Sequence, residues 1–154
     1  SVDIEIILAF KGFAMWSVFP MVRKYIVGAA ASSVNEARLA YEEMKSRAHT
    51  YSAVYSENEF DEILKYSSHV TFNSVAQSKK FIPLIKKSGK KISAGLRINP
   101  EYSEVSTALY NPCSPGSRLG VTVSALGDTL PEGIEGVFLD RERKLPLKPG
   151  QQEI

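Results

Sequence analysis

Lys11 stands in the stretch ILAFKGFAMW, one cation between two apolar runs. An ammonium needs water or a partner. A strand-end lysine can lay its stem on apolar surface and reach solvent with its amine. A reactive lysine meets the same need differently. Desolvation lowers its pKa, and the free amine can then condense with an aldehyde. The residues next to Lys11 fit both readings. Further polar side chains recur where apolar runs end: Ser32 and Ser33 after YIVGAAA, Ser52 in HTYSAVY, Asn73 in HVTFNS, and Arg97 with Asn99 in KKISAGLRINP.

The elements that must position these residues alternate. The run VDIEIILAF predicts a strand ending at Lys11. FAMWSVFPMVRKY has helical spacing, and Pro20 should split it. SSVNEARLAYEEMKSRA is the clearest helix, opened by a Ser33–Glu36 capping box. HTYSAVY, HVTFNS, KKISAGLRINP and GIEGVFL read as strands. SENEFDEILKYS and VAQSKKFIPLIKKSG read as helices, the second closed at Gly89. VTVSAL reads as a short helix. Strand–helix alternation at this spacing means a parallel sheet with helices outside. About six strands in 154 residues fall short of a closed (β/α)8 barrel. The chain is therefore an open doubly wound sheet or part of a barrel. No Gly-rich phosphate loop stands at a strand–helix junction, which weakens a nucleotide-binding reading.

Composition excludes other classes. Net charge is +2, and the paired lysines 79–80, 86–87 and 90–91 fit a solvated helix face better than a nucleic-acid stripe. No apolar run approaches the ~20 residues of a membrane span. The single cysteine, Cys113, excludes an internal disulfide and multi-thiolate zinc. These features predict a cytoplasmic chain with no nucleic-acid or membrane partner, and no signal peptide is visible.

In parallel α/β folds the active site lies at the carboxyl ends of the strands. Lys11, Ser32, Asn73 and Arg97 then share one rim. They could hold an anionic, ring-bearing ligand such as pyridoxal 5'-phosphate, whose aldehyde would take Lys11. Each also has a plain structural reading. Ser33 caps its helix, Asn73 caps the helix starting near Val75, and Arg97 pairs with Glu101 or Glu104. His49 and His69 begin their strands on the opposite rim and read as structural.

The segments LAFKGFAMWSVFP, ASSVNEARLAYEE, HTYSAVYSENEFDEIL, GLRINPEYSEV and LYNPCSPGSRLGVT together resemble the carboxynorspermidine (carboxyspermidine) decarboxylases. These are alanine-racemase-like, pyridoxal phosphate-dependent decarboxylases. The resemblance spans roughly residues 4–136. It implies an incomplete (β/α)8 barrel with parallel strands, lacking the family's C-terminal β-domain. It implies a homodimer and a polyamine-precursor substrate. Lys11 stands where the family has its catalytic, cofactor-bearing lysine. Arg97 stands where relatives place an arginine close to the cofactor. Near Ala30 some relatives carry an aspartate, and here that contact is either absent or replaced by Ser32; Arg118 matches a basic position of the family that is structural or site-ordering. After Gly136 the family pattern stops, as a shifted or truncated reading frame would explain. Residues 1–136 are therefore expected to form a partial cofactor-binding barrel, and 137–154 a divergent, irregular tail. Such a chain is expected to have little activity alone and to associate through its open edges; the rival reading is a non-catalytic cofactor-binding module.

Overall fold

The structure, a computed structural model, describes residues 4–103, 111–127 and 129–139. Seven strands form one parallel sheet: β1 (Ile7–Ala9), β2 (Gly28–Ala31), β3 (Ala48–Tyr51), β4 (Ser67–Phe72), β5 (Ser93–Asn99), β6 (Val121–Thr122) and β7 (Gly136–Leu139). Their order is β1-β2-β3-β4-β5-β6, and β7 also pairs with β5. β6 meets the carboxyl end of β5, at Ile98 and Asn99, whereas β7 pairs with it from Gly95 to Ile98. The order from β1 to β5 never reverses. A doubly wound sheet reverses at a switch point, where its site lies. Successive right-handed crossovers without reversal put every helix on one face, as in the wall of a (β/α)8 barrel.

The helices are α1 (Phe19–Val22), α2 (Val34–Glu42), α3 (Glu57–Tyr66), α4 (Val75–Ser88) and α5 (Val123–Leu126). Ser33 caps α2, its hydroxyl accepting from the Glu36 amide at 3.2 Å. The Glu36 carboxylate reaches back one residue further than a standard capping box and accepts from the Ser32 amide and hydroxyl. α4 repeats the device, with Ser74 capping Gln77 and the Gln77 carbonyl accepting from the Asn73 amide. Ser74, not Asn73, is thus the cap, because the Asn73 side chain is engaged elsewhere. Gly89 ends α4 in the left-handed region, φ 64°. Pro20 does not split a long helix. It lies in the first turn of α1, where a missing N–H costs nothing, and a 3-10 turn at Trp16–Val18 leads into it.

Burial alternates along β3 and the first part of β5, so the two sheet faces separate there. Under α3 and α4, Phe60, Ile63 and Phe81 pack on Val70, Phe72 and Leu96. Under α2, the small side chains of Ala29, Ala31, Ala37 and Ala40 let helix and sheet approach closely, and Met44 fills the end of that cluster. β1 is shorter than the sequence pattern predicts. Ile4 and Ile6 are exposed, and among the described residues β1 pairs with β2 alone. β7 runs three residues beyond the boundary expected at 136, and residues 140–154 lie outside the described residues.

Candidate functional site

The face turned away from the helices carries Ala30, His49, Tyr51, His69, Thr71, Arg97 and Asn99, by alternation with the buried set. Register stacks these residues in layers. Ala30, His49, His69 and Ser93 share one level, and Tyr51, Thr71, Gly95 and Gly136 the next. Arg97 and Phe138 pair one level higher, toward the carboxyl rim.

Arg97 is buried, at 7% exposure, although it is a cation. Its guanidinium lies 4.7 Å from the Tyr51 ring centre and 5.7 Å from that of Phe138. The two rings are nearly parallel, 6.2 Å apart. Aromatic faces of this kind stabilise a desolvated guanidinium and fix its plane.

Asn73 ties three elements together. Its Oδ1 accepts from the Tyr51 hydroxyl and from the Gly120 amide, both at 2.7 Å, and its Nδ2 donates to the Arg118 carbonyl at 2.8 Å. Gly120 has φ +80°, and a Cβ there would meet the Asn99 amide nitrogen at 3.0 Å and Arg97 Cγ at 3.3 Å. Only a residue without a side chain lets this loop close on β5 beside Arg97. The Asn99 side-chain Nδ2 donates to the Leu119 carbonyl, adding a second tie to the same loop. Nearby, the Tyr55 hydroxyl accepts from the Ser52 amide and lies 3.0 Å from the carbonyls of Thr50 and Thr71, joining the ends of β3 and β4. Burial pushes the Tyr55 phenol well above its ordinary range, which keeps it a neutral donor.

Lys11 lies in the turn that follows β1 and is exposed. Phe10, just before it, is buried and stacks on Phe19 with ring centres 5.2 Å apart. The Gly12 and Phe13 amides both donate to the Ala9 carbonyl. The lysine is therefore carried on an anchored turn at the carboxyl end of the edge strand.

Of the residues expected at the site, Arg97 and Asn73 are brought together through Tyr51. Ser32 is bonded to Glu36 at the same end of β2. His49 and His69 lie near the amino-terminal ends of their strands, on the inner face, with rings stacked 3.9 Å apart. Burial, and then the neighbouring His69, lower the His49 pKa. Sequence reasoning missed Tyr51 and Phe138 as partners of Arg97. The available signal was strand parity, since Tyr51 lies two residues beyond His49. Among the described residues no group of three or more His, Cys, Asp or Glu could hold a metal.

An unreversed parallel sheet, with helices on one face and polar side chains gathered at the strands' carboxyl ends, defines a wall of an enzyme-type (β/α)8 barrel. No family model matches the chain. Similarity to individual proteins narrows the class. The chain is 48% identical over 136 residues to carboxyaminopropylagmatine decarboxylase of Synechocystis, covering 88% of this chain and 35% of that protein. It is 39% identical over 133 residues to carboxynorspermidine/carboxyspermidine decarboxylase of Campylobacter jejuni, covering 86% of this chain and 34% of that protein. The crystal structure of carboxynorspermidine decarboxylase from Campylobacter jejuni, complexed with norspermidine, superposes with a TM-score of 0.74 at 34% identity, over 89% of this chain and 34% of that one. The chain is a partial-length relative of the carboxynorspermidine and carboxyspermidine decarboxylases, spanning about a third of their length.

Proposed function

We propose that this chain supplies the lysine-bearing wall of a pyridoxal phosphate-dependent carboxy-lyase acting on a carboxylated polyamine precursor. What supports the reading is a lysine following the carboxyl end of β1 and a buried arginine near the carboxyl end of β5, two strands that a closed eight-stranded barrel would set on opposed walls. The cofactor's chemistry asks for a primary amine to bond its aldehyde and for cations near its acidic groups. Lys11 and Arg97 meet those two demands, and the residues present fit the group to that extent. When bound, the cofactor supplies an electron sink for the pair left by departing carbon dioxide.

The rest falls to the chain's own side chains. Lys11 Nζ would hold the cofactor and, when free, would serve as a proton donor and acceptor at the site. Arg97, held flat by Tyr51 and Phe138, offers a fixed positive charge without reorganising. Asn73 is the brace that keeps Tyr51 and the Arg118–Gly120 loop in place. Ser32 is oriented by Glu36 and lies at the end of β2, next to the strand that carries Lys11. The substrate class follows the relatives' names: carboxynorspermidine, carboxyspermidine or carboxyaminopropylagmatine. A cytoplasmic homodimer is part of the same proposal, as the family resemblance implies.

The chain on its own turns over little. It spans about a third of its relatives' length, and among the described residues β1 pairs with β2 alone. Release of carbon dioxide from each of the three candidate substrates, with pyridoxal phosphate added, tests both statements. A low rate with one of them, abolished by Lys11→Ala, is expected. No release with any of them, together with no cofactor absorbance that depends on Lys11, would overturn the reading.

A further inference from the structure

We infer that Tyr51 is a positioning residue for the proposed reaction, and that it acts on Arg97 through the hydroxyl that anchors its ring. The inference rests on the reading above, in which Arg97 takes an acidic group of the cofactor or substrate. Tyr51 stands on β3 and Arg97 on β5, with β4 between them. The ring must therefore lean across β4 to lie 4.7 Å from the guanidinium. Short residues leave that path open. Thr71 is the β4 residue level with Tyr51, and Gly95 is the partner of Thr71 on β5. A Cβ on Gly95 would already stand 3.3 Å from Thr71 Oγ1.

The far end of the ring holds it in this lean, where the hydroxyl donates to Asn73 Oδ1 at 2.7 Å. Phe138 is the weaker holder. It is half exposed, lies 5.7 Å from the guanidinium and has no polar end to tie down. Asn73 also lets two roles be separated. Its Oδ1 takes the Gly120 amide as well, and its Nδ2 donates to the Arg118 carbonyl. Removing the Tyr51 hydroxyl leaves both of those bonds in place, so the loop beside Arg97 stays closed. Tyr51→Phe therefore loosens the hold on the guanidinium without opening the loop, which Asn73→Ala would do at the same time. A fixed charge stabilises a ligand most when it need not reorganise. A looser ring thus costs affinity at Arg97, although the hydroxyl itself is spent on Asn73.

Two measurements on the full chain test this, at a temperature where every variant is folded. The first needs no cofactor. An aromatic ring shifts protons over its face upfield, so the Arg97 Nε–H signal in the NMR spectrum reports the stack. In Tyr51→Phe it should move toward the position of an unstacked arginine. The second is the half-saturation concentration of pyridoxal phosphate, followed by the absorbance that depends on Lys11. It should rise about fivefold in Tyr51→Phe, the worth of one neutral hydrogen bond. Ile85→Val, on the buried face of α4, loses comparable stability and should change neither signal. An Arg97 signal that is the same in Tyr51→Phe and the unaltered chain overturns the inference, and so does an unchanged half-saturation. Failure of the decarboxylase reading looks different. The unaltered chain then shows no Lys11-dependent absorbance, while the Arg97 signal still moves in Tyr51→Phe and upholds the hold of Tyr51 on Arg97.

Discussion

Replacing Asn73 with alanine removes three hydrogen bonds at one point. The Tyr51 hydroxyl and the Gly120 amide lose their acceptor, and the Arg118 carbonyl loses a donor. The Arg118 contact is exposed, so water replaces it at little cost. The other two are part-buried, and each is worth about 1 kcal/mol. The expected loss is about 2 kcal/mol, or about 4–8 °C in melting temperature for a chain of this size. Asn73→Asp keeps an acceptor for Tyr51 and Gly120 and should recover most of that loss. Urea unfolding gives the free energy, and hydrogen exchange at the Gly120 amide gives the local effect. A loss under about 0.5 kcal/mol, the range of neutral surface changes, with the Gly120 amide still protected, would refute the brace.

Gly120→Ala strains a residue at φ +80° and pushes a methyl against the Asn99 backbone and Arg97 Cγ, so it should cost about 1–3 kcal/mol by equilibrium unfolding; an unchanged midpoint would contradict the close approach. The His49 pKa is lowered in the folded chain, so below its ordinary value of 6.5 the unfolded chain binds more protons. Stability should therefore fall as pH drops through about 6.5 and into the folded-state pKa, and His49→Gln should flatten that dependence. An imidazole titration of His49 by NMR at or above the value in a short peptide would contradict its partial burial against His69.

Much of this wall was legible because its signals are local. Ser33 with Glu36 announces α2, Gly89 closes α4, and the alternating burial of β3 and the first part of β5 follows from residue parity. Pro20 misled because a proline fits a first helical turn as well as it breaks an interior. Asn73 reads as the cap of α4, but its side chain is taken up by Tyr51 and the Arg118–Gly120 loop, and Ser74 caps instead. The Tyr51–Arg97–Phe138 stack was not legible. It joins β3, β5 and β7, and cross-strand neighbours depend on register between segments far apart in sequence.

The most direct test of the central claim is borohydride reduction of the chain in the presence of pyridoxal phosphate, followed by peptide mass mapping. The account predicts one dominant cofactor-modified peptide, carrying Lys11, and its loss in Lys11→Arg. Label spread evenly over surface lysines such as Lys79, Lys87 and Lys90, with none enriched at Lys11, would contradict it.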